Sequence, residues 1–149
     1  MLRTLASLQS ALSGDILINN KAIETFQPKE LSKYLSLVLT EQGISKNLTV
    51  NELVTLGRQP YTNWIGAVTK EDEHMIYNAL KAVGVLRLRE RSCFQLSDGQ
   101  LQKVLIARAL AQDTDIIILD EPTTHLDLHH KASIFKLLKD LTRTTKKTI

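Results

Sequence analysis

Apolar residues recur at helical spacing from the start of the chain. Leu2, Leu5, Leu8 and Leu12 mark one face of a helix that Ser13-Gly14 would end. This helix opens on its apolar face with no capping residue before it. The period then changes. Asp15-Ile16-Leu17-Ile18 reads as a strand, Asn19-Asn20 as a turn and Lys21-Ala22-Ile23 as a short return strand. Pro28 suits the first turn of a short helix reaching Tyr34, and the apolar run Leu35 to Leu39 predicts a buried strand.

Three capping boxes follow. Thr49-Val50-Asn51-Glu52 opens a helix expected to run to about Arg58, and a loop takes the chain through Gly66. Thr69-Lys70-Glu71-Asp72 opens a second helix, with Met75, Ile76, Leu80 and Val83 on one face and a stop near Gly84. Ser97-Asp98-Gly99-Gln100 opens a third, through about Ala111. Ile116 to Leu119 is continuously apolar and mostly β-branched, the pattern of a fully buried strand. Asp127 to about Thr142 predicts a helix burying Ile134, Leu137, Leu138 and Leu141, and Lys147-Thr148-Ile149 starts another strand. The chain is therefore expected to be an α/β core with a mostly helical insertion between about Thr49 and Arg91.

Composition narrows the class without changing that picture. The chain has 149 residues, 43% hydrophobic and 23% charged, enough for one domain with a sizeable core. No run approaches the ~18–20 apolar residues that span a bilayer. The first residues carry one basic side chain and no cleavage pattern, so no signal peptide is expected and the protein is expected to be cytoplasmic. The single cysteine, Cys93, excludes an intrachain disulfide and a Cys-rich metal site, and is expected to be half-buried and incidental. The net charge of +3 is spread along the chain, which argues against nucleic acid as a partner.

The chemistry lies after Leu96. A buried strand ending in Asp120-Glu121 brings two carboxylates to the carboxyl edge of a sheet, where open α/β folds bind ligands. Mg²⁺ with nucleotide phosphates is the natural partner of such a pair. Asp120 fits the Mg²⁺ role, and Glu121 is placed to polarise an attacking water as general base. The plain alternative is an acidic pair that ends a strand before Pro122. Ser97 and Gly99 put a hydroxyl and unhindered backbone N–H groups at a helix N-terminus, which binds anions, although a lone Ser-x-Gly is also an ordinary cap.

The combination is more specific than its parts. Leu96-Ser97-Asp98-Gly99-Gln100, then Gln102-Lys103, then Ile106-Ala107-Arg108-Ala109-Leu110, then Ile116 to Glu121, resembles the signature and Walker B motifs of ABC transporter nucleotide-binding subunits. Thr124-His125-Leu126-Asp127 falls where that family has its D-loop. The resemblance implies a P-loop NTPase-like ABC ATPase core with an inserted α-helical signature subdomain, divided as 1–48, about 49–111 and 112–149. It implies a head-to-tail homodimer sandwiching ATP and Mg²⁺. Ser97, Asp98, Gly99 and Gln100 would then act on ATP held by the other subunit, and His125, Leu126 and Asp127 would lie at the dimer interface. It also implies membrane permease subunits, an indirect substrate-binding protein, and a place on the cytoplasmic face of the membrane. The segment Thr49 to Tyr61, with Trp64 and Gly66, is similar to the branch importing ferric siderophores, haem and cobalamin, where it lies at the permease's docking site. Tyr61 and Trp64 read equally as loop aromatics covering a core.

Departures from the family are expected to matter. None of the six glycines fits a Walker A loop, and no histidine lies at the family's switch position. The chain thus resembles an ABC subunit truncated at both ends, and by itself is expected to bind ATP weakly without hydrolysing it. The Q-loop position falls on Thr40, Glu41 or Gln42. Asp98 stands where the commonest signature has glycine, adding a negative charge near phosphate. The other readings are a degenerate, non-catalytic ABC interaction module and a soluble ABC ATPase acting on ribosomes or DNA. Intact Glu121 and signature residues disfavour the first, and the short insertion and low positive charge disfavour the second. His74, His125, His129 and His130 are expected to be ordinary surface or interface residues.

Overall fold

Two parallel strands frame the described structure. β3 (Leu35–Val38) and β4 (Ile116–Leu119) pair in register from Leu35 with Ile116 to Val38 with Leu119. Parallel neighbours need a crossover connection, and here it carries three helices: α3 (Val50–Thr55), α4 (Lys70–Ala82) and α5 (Asp98–Ala111). The computed structural model describes residues 2–39, 47–62, 66–124 and 126–149; Thr40, Glu41, Gln42, Trp64 and His125 lie outside the described residues. Before β3 come α1 (Leu2–Leu5), the antiparallel pair β1 (Leu17–Ile18) and β2 (Lys21–Ala22), and α2 (Pro28–Leu31). After β4 comes α6 (Leu128–Thr144), and Thr148 then bridges to Ile116 in parallel sense, as the closing Lys147-Thr148-Ile149 predicts.

Local chemistry explains most boundaries. All three capping boxes form, with Glu52, Asp72 and Gln100 each reaching back to the N–H of Thr49, Thr69 and Ser97 at 2.8, 2.9 and 3.1 Å. Pro28 opens α2 at its first turn, and Gly84, at φ +74°, ends the turn after α4. Asn19 and Asn20 both adopt positive φ, the geometry of a two-residue hairpin turn whose twist matches its strands.

The first helix is shorter than its leucine spacing predicts. It stops at Leu5, Ser7 turns to φ +56°, and its N–H bonds the Thr4 carbonyl. Leu8 and Leu12 are 59% and 101% exposed. A helical pattern that buries no face lacks the packing that stabilises short helices, and the pattern beyond Leu5 is not buried.

β4 also departs from expectation, since only Ile117 is buried and its neighbours are half-buried. Successive strand side chains point to opposite faces. Ile117 and Leu119 join the helical core with Val38, Leu53, Leu80, Ile106 and Ile134, whereas Ile116 and Leu37 pack on a smaller cluster of Ala6, Ile18, Ile23, Leu31 and Leu35. Cys93 is likewise buried, at 2% exposure, rather than half-buried, because the 3₁₀ turn carrying it tucks under α3 through a bond from its N–H to the Leu48 carbonyl.

One ion pair ties the helical layer together. Arg58 is buried; its Nε donates to Asp72 Oδ1 at 2.7 Å and its Nη1 to the Ala111 carbonyl at the end of α5 at 2.8 Å. Its guanidinium lies 4.0 Å from the centre of the Tyr61 ring. Burial works to raise the Asp72 carboxyl, but hydrogen bonds from Thr69 and Arg58 outweigh it and hold the pKa below its ordinary value. No described helix is long and apolar enough to cross a membrane.

Candidate functional site

The three stretches predicted from sequence lie at the start of α5, just past β4 and at the start of α6. α5 begins at Asp98 with Ser97 as its cap, runs back to Ala111, and its successor β4 delivers Asp120 and Glu121 just past its last residue. Asp127 then caps α6.

At the start of α5, Ser97 Oγ accepts the Gln100 N–H at 3.3 Å, while Gln100 Oε1 accepts the Ser97 N–H. The Gln100 side chain is therefore engaged in the cap, and Ser97 remains exposed. The N–H groups of Asp98 and Gly99 belong to the first turn, whose donors have no intrahelical acceptor, so they suit an anion. Asp98 is exposed, and Gly99 is buried.

At the end of β4, the Asp120 N–H bonds the Val38 carbonyl at 2.9 Å, extending the β3–β4 ladder by one residue and anchoring the half-buried Asp120 to the sheet. Glu121 has φ +49°, a conformation rare for a residue with a side chain. Its exposed carboxylate accepts the Thr124 hydroxyl at 3.0 Å. The turn leaves Asp120 half-buried and Glu121 exposed. Among the described residues, no group of three or more His, Cys, Asp and Glu side chains could hold a metal. A divalent cation here would need phosphate and water oxygens to complete its shell, which is how Mg²⁺ is usually held.

Asp127 accepts two hydrogen bonds from one residue, the His130 N–H to Oδ1 and the His130 ring Nδ1 to Oδ2, both at 2.8 Å. These contacts, the backbone one first, hold its carboxyl below the ordinary carboxylate value. The His130 ring in turn lies against Gly99. His130 thus touches the candidate site, a contact that the sequence reading, which expected an ordinary surface or interface residue, did not single out. The signal present in the sequence was its position three residues after the cap Asp127. Leu126 is half-buried against the helical core. A separate hollow of about 610 Å³ lies among α3, α4 and the turn Leu86–Leu88, lined in part by Lys70, Glu73, His74 and Arg89, and none of the groups above lines it.

Comparison with known proteins identifies the family and the fold. The sequence model of the ABC transporter family matches residues 1–124. The chain is 43% identical over 149 residues to a petrobactin import ATP-binding protein of Bacillus anthracis, covering 100% of this chain and 55% of that protein. It is 36% identical over 143 residues to the ferric enterobactin transport ATP-binding protein of Escherichia coli, covering 96% of this chain and 53% of that one. The chain thus spans about half the length of the curated relatives it matches. Its fold superposes with a TM-score of 0.81 on cbiO1 of Clostridium perfringens, part of the ABC transporter complex cbiONQ, at 28% identity over 99% of this chain and 58% of that one.

Proposed function

Because this chain belongs to the ABC transporter family, we propose that it is part of the ATP-hydrolysing subunit that powers an importer of iron complexes. The carrying observation is the single path from the Ser97 cap through α5 to the carboxylates after β4. Relatives named for petrobactin import and ferric enterobactin transport support ferric siderophores as the cargo class, ahead of haem or cobalamin.

In this reading Asp120 holds Mg²⁺ together with phosphate oxygens and water. The ion, when bound, neutralises charge developing on the phosphates. Glu121 is the general base, and its exposed, left-handed turn leaves the carboxylate reachable by a water. The Ser97 hydroxyl and the first-turn N–H groups bind the γ-phosphate of ATP held by a second copy of the subunit. Leu126 and Asp127, with His125, border that copy. Gln100 contributes by holding the cap in shape. Asp98, exposed at the first turn, must point its charge away from phosphate or have it neutralised. Thr40, Glu41 and Gln42 stay the candidates for the loop that senses Mg²⁺ and the permease. The chain divides as 1–48 and 112–149 for the core and about 49–111 for the signature subdomain. Its partners are permease subunits at the cytoplasmic face of the membrane and, indirectly, a substrate-binding protein.

The test is made at the chromosomal locus. Glu121→Gln and, separately, Ser97→Ala are introduced, and uptake of radioactive ferric siderophore is measured alongside protein abundance. Glu121→Gln at normal abundance is expected to lower uptake about 100-fold or more. Unchanged uptake would favour a non-catalytic ABC module instead.

A further inference from the structure

Gly99 is the second residue of α5, in its first turn and without the positive φ that would call for glycine. Backbone geometry does not ask for it. Its surroundings do. A Cβ built on Gly99 would overlap the His130 ring, with Cγ at 2.9 Å and Nε2 at 3.2 Å and Cδ2 nearer still. That ring is held from its other side by the Asp127 carboxylate, through Nδ1 at 2.8 Å, while the His130 N–H takes the second carboxylate oxygen at 2.8 Å. With Asp127 ionised, Nδ1 carries the donated proton, so the carboxylate fixes both the tautomer and the orientation of the ring. Three residues from two helix starts are therefore linked in one chain of contacts: Asp127, His130, Gly99.

We propose that His130 is a positioning residue that locks the Asp127 loop against the amino end of α5, so that Asp127 and the Ser97–Gly99 turn present themselves as one rigid unit, and that glycine at 99 is required by the His130 ring. The functional consequence rests on the reading of these two turns as a shared face toward nucleotide. The lock itself does not need nucleotide, so it can be tested without it.

The experiment is a double-mutant cycle on this chain, read by thermal unfolding in the absence of ATP. Gly99→Ala in the natural background should lower Tm by about 2–4 °C, since the exposed His130 ring can yield part of the overlap. In a His130→Ala background the same change should raise Tm, because the clash is gone and alanine is the better helix former. This reversal of sign is specific to the lock. Amide hydrogen exchange adds a readout that general loss of packing would not produce. Asp127→Asn and His130→Ala should each speed exchange at Gly99, Gln100 and Leu101 while leaving the centre of α4 unchanged. His130→Asn, whose side-chain amide can place its NH2 donor where Nδ1 was, should restore protection. Equal loss of Tm from Gly99→Ala in both backgrounds, or unchanged exchange in His130→Ala, would overturn the proposal. Loss of siderophore uptake in Glu121→Gln bears only on the catalytic reading, and the sign reversal bears only on the lock, so either can fail alone.

Discussion

Arg58 shows how much one side chain can organise. Its guanidinium meets the Asp72 carboxylate, the last carbonyl of α5 and the nearby Tyr61 ring, so α4 and the end of α5 share one buried charge with the turn that follows α3. Breaking such a pair leaves an uncompensated partner. Arg58→Met is expected to destabilise the chain by about 3–5 kcal/mol in urea unfolding, more than removing any exposed ion pair such as Lys21–Glu30. The pH dependence has a definite sign. The Asp72 pKa is lowered by folding, so its contribution is present above the unfolded carboxylate range near about 4 and is lost as pH falls through the depressed folded value. Asp72→Asn should therefore be less stable at neutral pH and should lose less stability on acidification. A Tm series from pH 7 to pH 3 checks both parts. Glu121 carries a different lesson. Its positive φ has no counterpart in composition or spacing, and the turn that produces it depends on β4 ending under the Val38 carbonyl and on the Thr124 hydroxyl.

Among the elements, the contact between α5 and the turn that follows α3 sets the tolerance of the helical layer. Gly57 lies so close to α5 that an added Cβ would run into the Arg108 carbonyl oxygen. A backbone atom gives way less readily than a side-chain end. Gly57→Ala is expected to cost about 1–3 kcal/mol by overpacking, although alanine would otherwise favour the helical turn. The caps are milder. Thr49→Ala and Thr69→Ala remove one half of each capping box and should cost about 1 kcal/mol apiece. If Gly57→Ala proved neutral by the same denaturant measurement, the close approach of the two helices would be wrong. The elements were well marked in the sequence where polar chemistry and apolar period coincided, as at Thr49, Thr69 and Ser97. They were poorly marked where only one signal was present. Leucine spacing alone predicted a helix to Leu12 that ends at Leu5.

Across the molecule, burial is uneven. The sheet divides a large helical core, which includes Val38, Leu80, Ile106 and Ile134, from a small cluster that includes Ile18, Ile23 and Leu31. Leu12 lies outside both and is 101% exposed. Leu12→Ser should shift stability by less than about 0.5 kcal/mol. Ile106→Ala, in a side chain only 1% exposed, should cost about 2–5 kcal/mol. Denaturant titration of both variants tests this division of the chain into a dense part and a loosely held part.

The sequence by itself determined the order of elements, the three capped helix starts, the hairpin at Asn19-Asn20 and the motif order that marks the ABC family, because each is written in neighbouring residues. Hydrogen bonds over three positions and periods of two or 3.6 need no distant partner. Tertiary structure alone decided which face of β4 is covered, which arginine is buried with a counter-ion, and that the His130 ring meets Gly99. Each of those depends on groups brought together from far along the chain: Ile117 on Ile134, Arg58 on Ala111, His130 on Gly99. Local spacing sets His130, three residues after the cap Asp127, apart from His129, but only the approach of α5 to the start of α6 places the buried Gly99 under the ring that Asp127 holds.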